Sequence, residues 1–117
     1  MDLTDIRTYC ASLPGSWEDF PFDDTTLVFK VEKKMYALSP TTGGMYINLK
    51  CDPDRAAALR DEYDFVSEGY HMNKRHWNTV KITPSVPDHL LKEWIHDSYT
   101  LVIESMSKRE RDHYLLS

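Results

Sequence analysis

Glycine is scarce in this chain. There are four in 117 residues, and Gly43-Gly44 is the one adjacent pair. That excludes a Gly-rich loop cradling phosphate with its backbone amides, and Gly43-Gly44 reads as a turn. Cysteine is scarcer still, with two. One bridge is arithmetically possible, but Cys10 and Cys51 form no CxxC spacing. Both are expected as reduced, buried small hydrophobes. No apolar run approaches the roughly 20 residues that span a bilayer. The opening "MDLTDIRTYC" has no basic stretch leading into an apolar one, so it does not read as a secretory signal. A soluble, cytoplasmic protein with no membrane partner is the expectation.

Positive charge is also in deficit. Lys and Arg number 14 against 19 Asp and Glu, a net charge of −5. A strongly basic domain would announce a nucleic-acid partner, and this composition does not. Affinity for DNA would have to come from a local basic patch. It would be modest and steeply salt-dependent.

What the chain does have is a core. Hydrophobic residues make up 41%, too many for a disordered segment, and the length fits one compact domain over residues 1–117. Thr4 to Leu13 reads as a helix, with Ile6, Tyr9, Cys10 and Leu13 at i, i+3, i+4, i+7 and Pro14-Gly15 as the stop. "SWEDFPFDD" reads as a short edge strand entering a turn, since Pro21 argues against a central position. From Thr26 the pattern alternates. Leu27, Phe29 and Val31 face one way; Val28, Lys30 and Glu32 face the other. Lys33-Lys34 is expected as the turn, "MYALSP" as the returning strand, and "MYINLKC" as a third, with Ile47, Leu49 and Cys51 alternating.

The period then changes. Asp52 is a good N-cap, Pro53 suits the first helical position, and Ala56, Leu59 and Tyr63 form an inward stripe. "DFVSEGYHM" and "HWNTVKI" read as two strands with "NKR" as a tight connection. A long helix starts near Ser85 or Val86-Pro87, with Leu91, Trp94, Ile95, Ser98, Val102 and Met106 on one face. "SKRERDHYLLS" continues it or frays. The order is α-β(3–4)-α-β2-α, an α+β domain with helices packed against an antiparallel sheet.

Four segments carry a family resemblance: "FPFDDTTLVFKVEKKMYAL", "INLKCDPDRAAALRDEY", "GYHMNKRHWNTV" and "SYTLVIESM". Together they span nearly the whole chain, and in that order the chain resembles the MmcQ/YjbR family of small bacterial proteins. The resemblance implies a frataxin-like (CyaY-like) architecture. The family is described as DNA-binding through a double wing of hairpins, and one member lies among mitomycin-resistance genes. Asp23-Asp24 and Glu68 depart from the family pattern, placing acid where glycine and proline are common.

Two candidate sites follow. In the first, the Lys33-Lys34 turn and the 70–77 hairpin are wings on DNA. Lys33, Lys34, Lys74 and Arg75 contact phosphates, while His71, Asn73 and His76 set the geometry. Trp77 stacks on a base or is core. In the second, a planar small molecule or drug rests on an aromatic face made by Tyr36, Tyr46, Asn48, Tyr70 and Trp77.

No metal or cofactor is expected. His71 and His76 lie on a hairpin, where the helical i, i+4 geometry of a zinc pair does not apply, and His89 and His96 are two helical turns apart. Glu18, Asp19, Asp23 and Asp24 read as a solvated acidic loop. Nothing in sequence pairs Cys51 with a base, and the Ser98 hydroxyl is expected to bond a backbone carbonyl within its helix. The expectation is a monomeric, non-enzymatic binding protein, with DNA-binding through basic turns first and planar-ligand binding second. An enzyme using His71 or His76 as base is a third reading.

Overall fold

Residues 1–70 and 72–115 are described by the computed structural model. They run α1 (Leu3–Ala11), β1 (Ser16–Asp19), β2 (Thr26–Val31), β3 (Lys34–Pro40), β4 (Tyr46–Lys50), α2 (Pro53–Glu62), β5 (Val66–Glu68), β6 (Trp77–Lys81), α3 (Asp88–Glu104) and α4 (Lys108–Leu115).

Local chemistry explains where the helices begin. Asp2 and Asp5 form a reciprocal capping box at α1. Asp52 accepts from the Asp54 amide with Pro53 in the first turn of α2, as the sequence suggests. Beyond α3 the chain does not simply continue or fray. Ser107 Oγ accepts from the Glu110 amide and donates to the Glu110 carboxylate, and this starts α4 as a separate helix.

The six strands form one antiparallel sheet in the order β1-β2-β3-β4-β6-β5. α3 packs across β2, β3 and β4, α2 against β5 and β6, and α1 against β1. Alternation along the strands divides the residues between two faces. Leu27, Phe29, Ala37, Ile47, Leu49, Val66 and Val80 meet Leu91, Trp94, Ile95, Val102 and Ile103 in the core. Burying each large side chain there contributes about 1.5–3 kcal/mol. Tyr36 is fully buried among them. Its ring lies edge-on to Tyr99, centroids 5.5 Å apart, and its hydroxyl shares a 2.6 Å hydrogen bond with Ser16.

The other face carries a row in register: Asp19, Val28, Leu38, Asn48, Thr79 and Ser67. Among the described residues no helix covers that face.

Four expectations are corrected. The β2–β3 turn is Glu32-Lys33, not Lys33-Lys34. Glu32 takes φ +54°, and Trp17 Nε1 donates to its carbonyl at 2.8 Å, so Lys34 becomes the first residue of β3. Cys51 lies just beyond β4, half-buried, rather than alternating within it. Ser98 does not bond a carbonyl of its own helix. Its hydroxyl donates to the Tyr36 carbonyl and accepts from the Lys50 amide, tying α3 to β3 and β4. Finally, β5 and β6 pair as expected, but segment 69–76 joins them, far longer than an NKR turn.

Candidate functional site

After β5, Tyr70 and Met72 lie over the uncovered sheet face, and the contacts that hold them there have identifiable causes. Gly69 donates to the Trp77 carbonyl at 2.9 Å. A Cβ on Gly69 would lie 2.7 Å from Trp77 Cβ and 2.8 Å from the Trp77 carbonyl oxygen, so only glycine passes so close. The Tyr70 amide then donates to Thr79 Oγ1 at 2.8 Å. Thr79 Oγ1 donates to Asn48 Oδ1 at 2.5 Å, and Asn48 Nδ2 donates to the Tyr70 carbonyl at 3.1 Å. These three bonds close a ring between two strands and the loop.

The rest of the segment is a turn built by Asn73. Its Oδ1 accepts from the Arg75 amide at 3.0 Å, and its carbonyl accepts from the His76 and Trp77 amides. Arg60 of α2 donates to the Lys74 carbonyl at 2.8 Å, and the Cys51 amide donates to the His76 carbonyl at 2.8 Å.

The loop walls a cleft of about 300 Å³ on the open face. Phe22, Thr26, Leu38, Tyr46, Asn48, Tyr70 and Met72 line it, with no charged residue among them. The rings of Tyr46 and Tyr70 stand at 85° with centroids 6.0 Å apart. Phe22 is 65% exposed and Tyr70 56%, so both present aromatic surface to a ligand. Phe22 is positioned by Asp23, whose Oδ1 accepts from the Thr25 and Thr26 amides at 2.9 and 2.7 Å. Those backbone bonds, with help from the two hydroxyls, lower the Asp23 carboxyl below its ordinary range. Burial, with the neighbouring Tyr70, raises the Tyr46 hydroxyl, which stays protonated as a donor.

Of the aromatic-face residues expected from sequence, Tyr46, Asn48 and Tyr70 come together here. Tyr36 does not, because the irregularity after Phe29 turns it into the helix-side core. Trp77 does not either: it is 7% exposed and sits under Gly69, so neither a planar ligand nor a base can stack on it. Sequence reasoning missed Phe22, Thr26, Leu38, Met72 and Thr79. The signal was present in the outward set of β2 and in "FPFDD", but nothing in sequence shows which loop covers which face.

The basic residues are placed as follows. Val31 pairs with Lys34, Ala37 with Leu49 and Lys50 with Trp77, so the 32–33 turn and segment 69–76 leave the same end of the sheet. Their centres are three strand spacings apart, roughly 14 Å. Among the described residues no carboxylate lies within ion-pairing distance of Lys33, Lys74 or Arg75, all exposed. Lys34 instead donates to Ser105 Oγ at 3.0 Å, and Asn73 is engaged in its own turn. His76 is exposed, and His71 lies outside the described residues.

The acidic stretch is not a loose cluster. Glu18 pairs with Arg7 and Asp19 with Lys30, both at 2.8 Å, and Asp23 braces its turn. Among the described residues no three His, Cys, Asp or Glu side chains are grouped to hold a metal ion. Among the described residues no helix is long and apolar enough to cross a membrane.

Fold and site together define an α+β domain that leaves one face of an antiparallel sheet open and hangs a loop-walled cleft on it. The chain belongs to the YjbR family, whose model matches residues 11–101. It is 37% identical over 93 residues to the protein YbdF of Escherichia coli O157:H7, covering 79% of this chain and 76% of that one. It is 27% identical over 112 residues to YjbR of Escherichia coli K12, covering 95% of each. Among solved structures it is similar to Deinococcus radiodurans protein DR2400, of the DUF419 domain family. The TM-score is 0.92 at 42% identity, over 99% of this chain and 89% of that one. A Pseudomonas syringae protein matches with TM-score 0.74 at 26% identity, over 86% of this chain and 98% of that one.

Proposed function

We propose that this protein is a non-enzymatic binding module that holds the planar, uncharged ring of a small molecule in the open-face cleft. One observation carries the reading. Phe22 from the β1–β2 loop, Tyr46 from β4 and Tyr70 from segment 69–76 converge on one cleft with no charged group among its described lining residues. Aromatic walls with few polar groups are what bind a flat ring. Burial raises both thiols, Cys10 to about 12, so neither forms thiolate readily, which favours binding over thiol chemistry. Two free cysteines suit a reducing, cytoplasmic setting.

The test is a fluorescence titration with caffeine, 1-naphthol and the four common nucleosides. At least one should give saturable binding that survives high salt. Tyr70→Ala and Phe22→Ala should weaken it about tenfold or more with little change in melting temperature, since both side chains are exposed. Saturable binding that both variants retain would place the ligand elsewhere.

A second reading rests on a separate observation: Lys33, Lys74 and Arg75 project from one end of the sheet without carboxylate partners. The turn that carries Lys33 and the one that carries Lys74 and Arg75, roughly 14 Å apart, match the scale of a duplex groove, about 12 Å across. This is the double-wing DNA reading reduced to three cations. Duplex affinity should then fall steeply from low to physiological salt and drop further in Lys74→Ala/Arg75→Ala. Duplex binding unchanged in that variant would rule the wings out.

A further inference from the structure

We infer that the cleft's ligand carries an anionic group beside its planar ring, the ring lying among Phe22, Tyr46 and Tyr70 and the anion meeting Lys74 and Arg75. This rests on the cleft reading above and narrows it to one class of compound.

Continuity of the loop carries the inference. Tyr70 and Met72 wall the cleft, and Lys74 and Arg75 follow in the same segment. The Cα atoms of Met72 and Arg75 are at most about 11 Å apart even if the chain between them were extended. It is not extended, because Asn73 closes a turn there. Ring-binding and anion-binding groups therefore sit on one short, braced piece of backbone.

The bracing leaves the two cations available. Arg60 bonds the Lys74 carbonyl, and the Asn73 side chain bonds the Arg75 amide. Both contacts use backbone atoms, so neither charged head is engaged by them. Four other cations meet carboxylates: Arg7 with Glu18, Lys30 with Asp19, Arg55 with Glu93 and Asp97, and Lys108 with Asp112. On a protein of net charge −5, cations left without carboxylates beside an aromatic cleft mark where a negative group is met. The nearest acid in sequence, Glu68, lines the adjoining cleft together with Lys81 and takes no part in this one.

The cleft lining constrains the other half of the ligand. Its described lining residues include no cation to receive an anion, so the charged group projects from the cleft toward Lys74 and Arg75 while the ring stays inside. An uncharged planar ring joined to an anion by a short spacer has this form, and a nucleoside monophosphate is its commonest example. The same chemistry comes from two sources, a free nucleotide or one nucleotide of a single strand.

The test compares each of adenosine, guanosine, cytidine and uridine with its 5′-monophosphate, by fluorescence titration at low salt. At least one monophosphate should bind about tenfold more tightly than its nucleoside, the worth of one charge-assisted hydrogen bond. Lys74→Ala/Arg75→Ala should bring that monophosphate down to its nucleoside's affinity and leave the nucleoside unchanged. Equal affinities in the native protein, or a phosphate advantage that persists in the double variant, overturn the inference while the cleft reading stands. If no nucleoside or monophosphate binds, the inference falls. If caffeine and 1-naphthol fail as well, the cleft reading falls with it. An eight-nucleotide single strand distinguishes the sources: tighter binding than the monophosphate indicates a strand, and equal binding indicates the free nucleotide.

Discussion

Thr79 Oγ1 donates to Asn48 Oδ1 at 2.5 Å while accepting from the Tyr70 amide at 2.8 Å. One hydroxyl thus links β6, β4 and the loop that walls the cleft. Thr79→Val keeps the shape and removes both bonds. Asn48, 1% exposed, then loses the donor to its Oδ1. The expected cost is about 1–3 kcal/mol, measured by urea denaturation. Hydrogen exchange at the Tyr70 amide should accelerate more than at strand amides, and Thr79→Ser should restore both. Unchanged exchange at Tyr70 would show that the loop is held some other way.

Gly69 permits a contact that no side chain can share. The nearest atoms a Cβ would meet include the Trp77 carbonyl oxygen at 2.8 Å, which is backbone and cannot swing aside. Gly69→Ala should therefore move the loop and cost about 1–3 kcal/mol, read as a lower melting temperature. It should also weaken cleft binding, because Tyr70 is the next residue. A variant as stable as the native protein would mean that the 69–77 crossing relaxes freely.

These two sites also show what was legible from the amino acids. Periodicity located the elements well: the inward sets Leu27, Phe29, Val31 and Leu91, Trp94, Ile95, Ser98, Val102 are all buried as expected. Capping chemistry at Asp52-Pro53 placed α2. Failures came where a tertiary contact overrides a local preference. Glu32 accepts a left-handed backbone because Trp17 bonds its carbonyl, which moves the turn by one residue. The NKR stretch has good turn residues, but Tyr70 is held to Thr79 and Asn48, so the chain leaves the hairpin path before reaching them. Tyr46, Asn48 and Tyr70 could be nominated as polar aromatic surface. Phe22 could not be joined to them, because that requires knowing that the β1–β2 loop and segment 69–76 lie over the same sheet face.

Ser98 is a polar residue on the core face of α3, 0% exposed. It accepts from the Lys50 amide at 2.8 Å and donates to the Tyr36 carbonyl. Each partner is a strand backbone group at the sheet–helix junction. Ser98→Ala removes one donor and one acceptor together and should cost about 1–3 kcal/mol in urea denaturation. Ser98→Cys, similar in size but a weaker hydrogen-bonding group, should fall between the two. A loss within about 0.5 kcal/mol would mean that water replaces the hydroxyl.

The buried thiol and phenol of the core predict the response to alkali. Desolvation raises Cys10 from 9.0 to about 12, and it raises the fully buried Tyr36 further still from 10.0. Below about pH 9 both groups are protonated in the folded and unfolded chains, and neither affects the equilibrium. As pH rises past 9 the unfolded chain releases the Cys10 proton while the folded chain keeps it, so unfolding becomes more favourable. Stability is therefore complete below about 9 and is lost between about 9 and 12, by up to about 1.4 kcal/mol per pH unit for each such group. Between 9 and 10 the thiols dominate, because unfolded tyrosines are still mostly protonated there. Burial raises Cys51 in the same direction. Urea denaturation at intervals from about pH 8 to about pH 11 measures the slope. Cys10→Ala should flatten the first part of the decline and leave the steeper part above 10, where Tyr36 and the other buried tyrosines act. A stability profile level through this range would mean that the unfolded chain protects these groups as well as the core does.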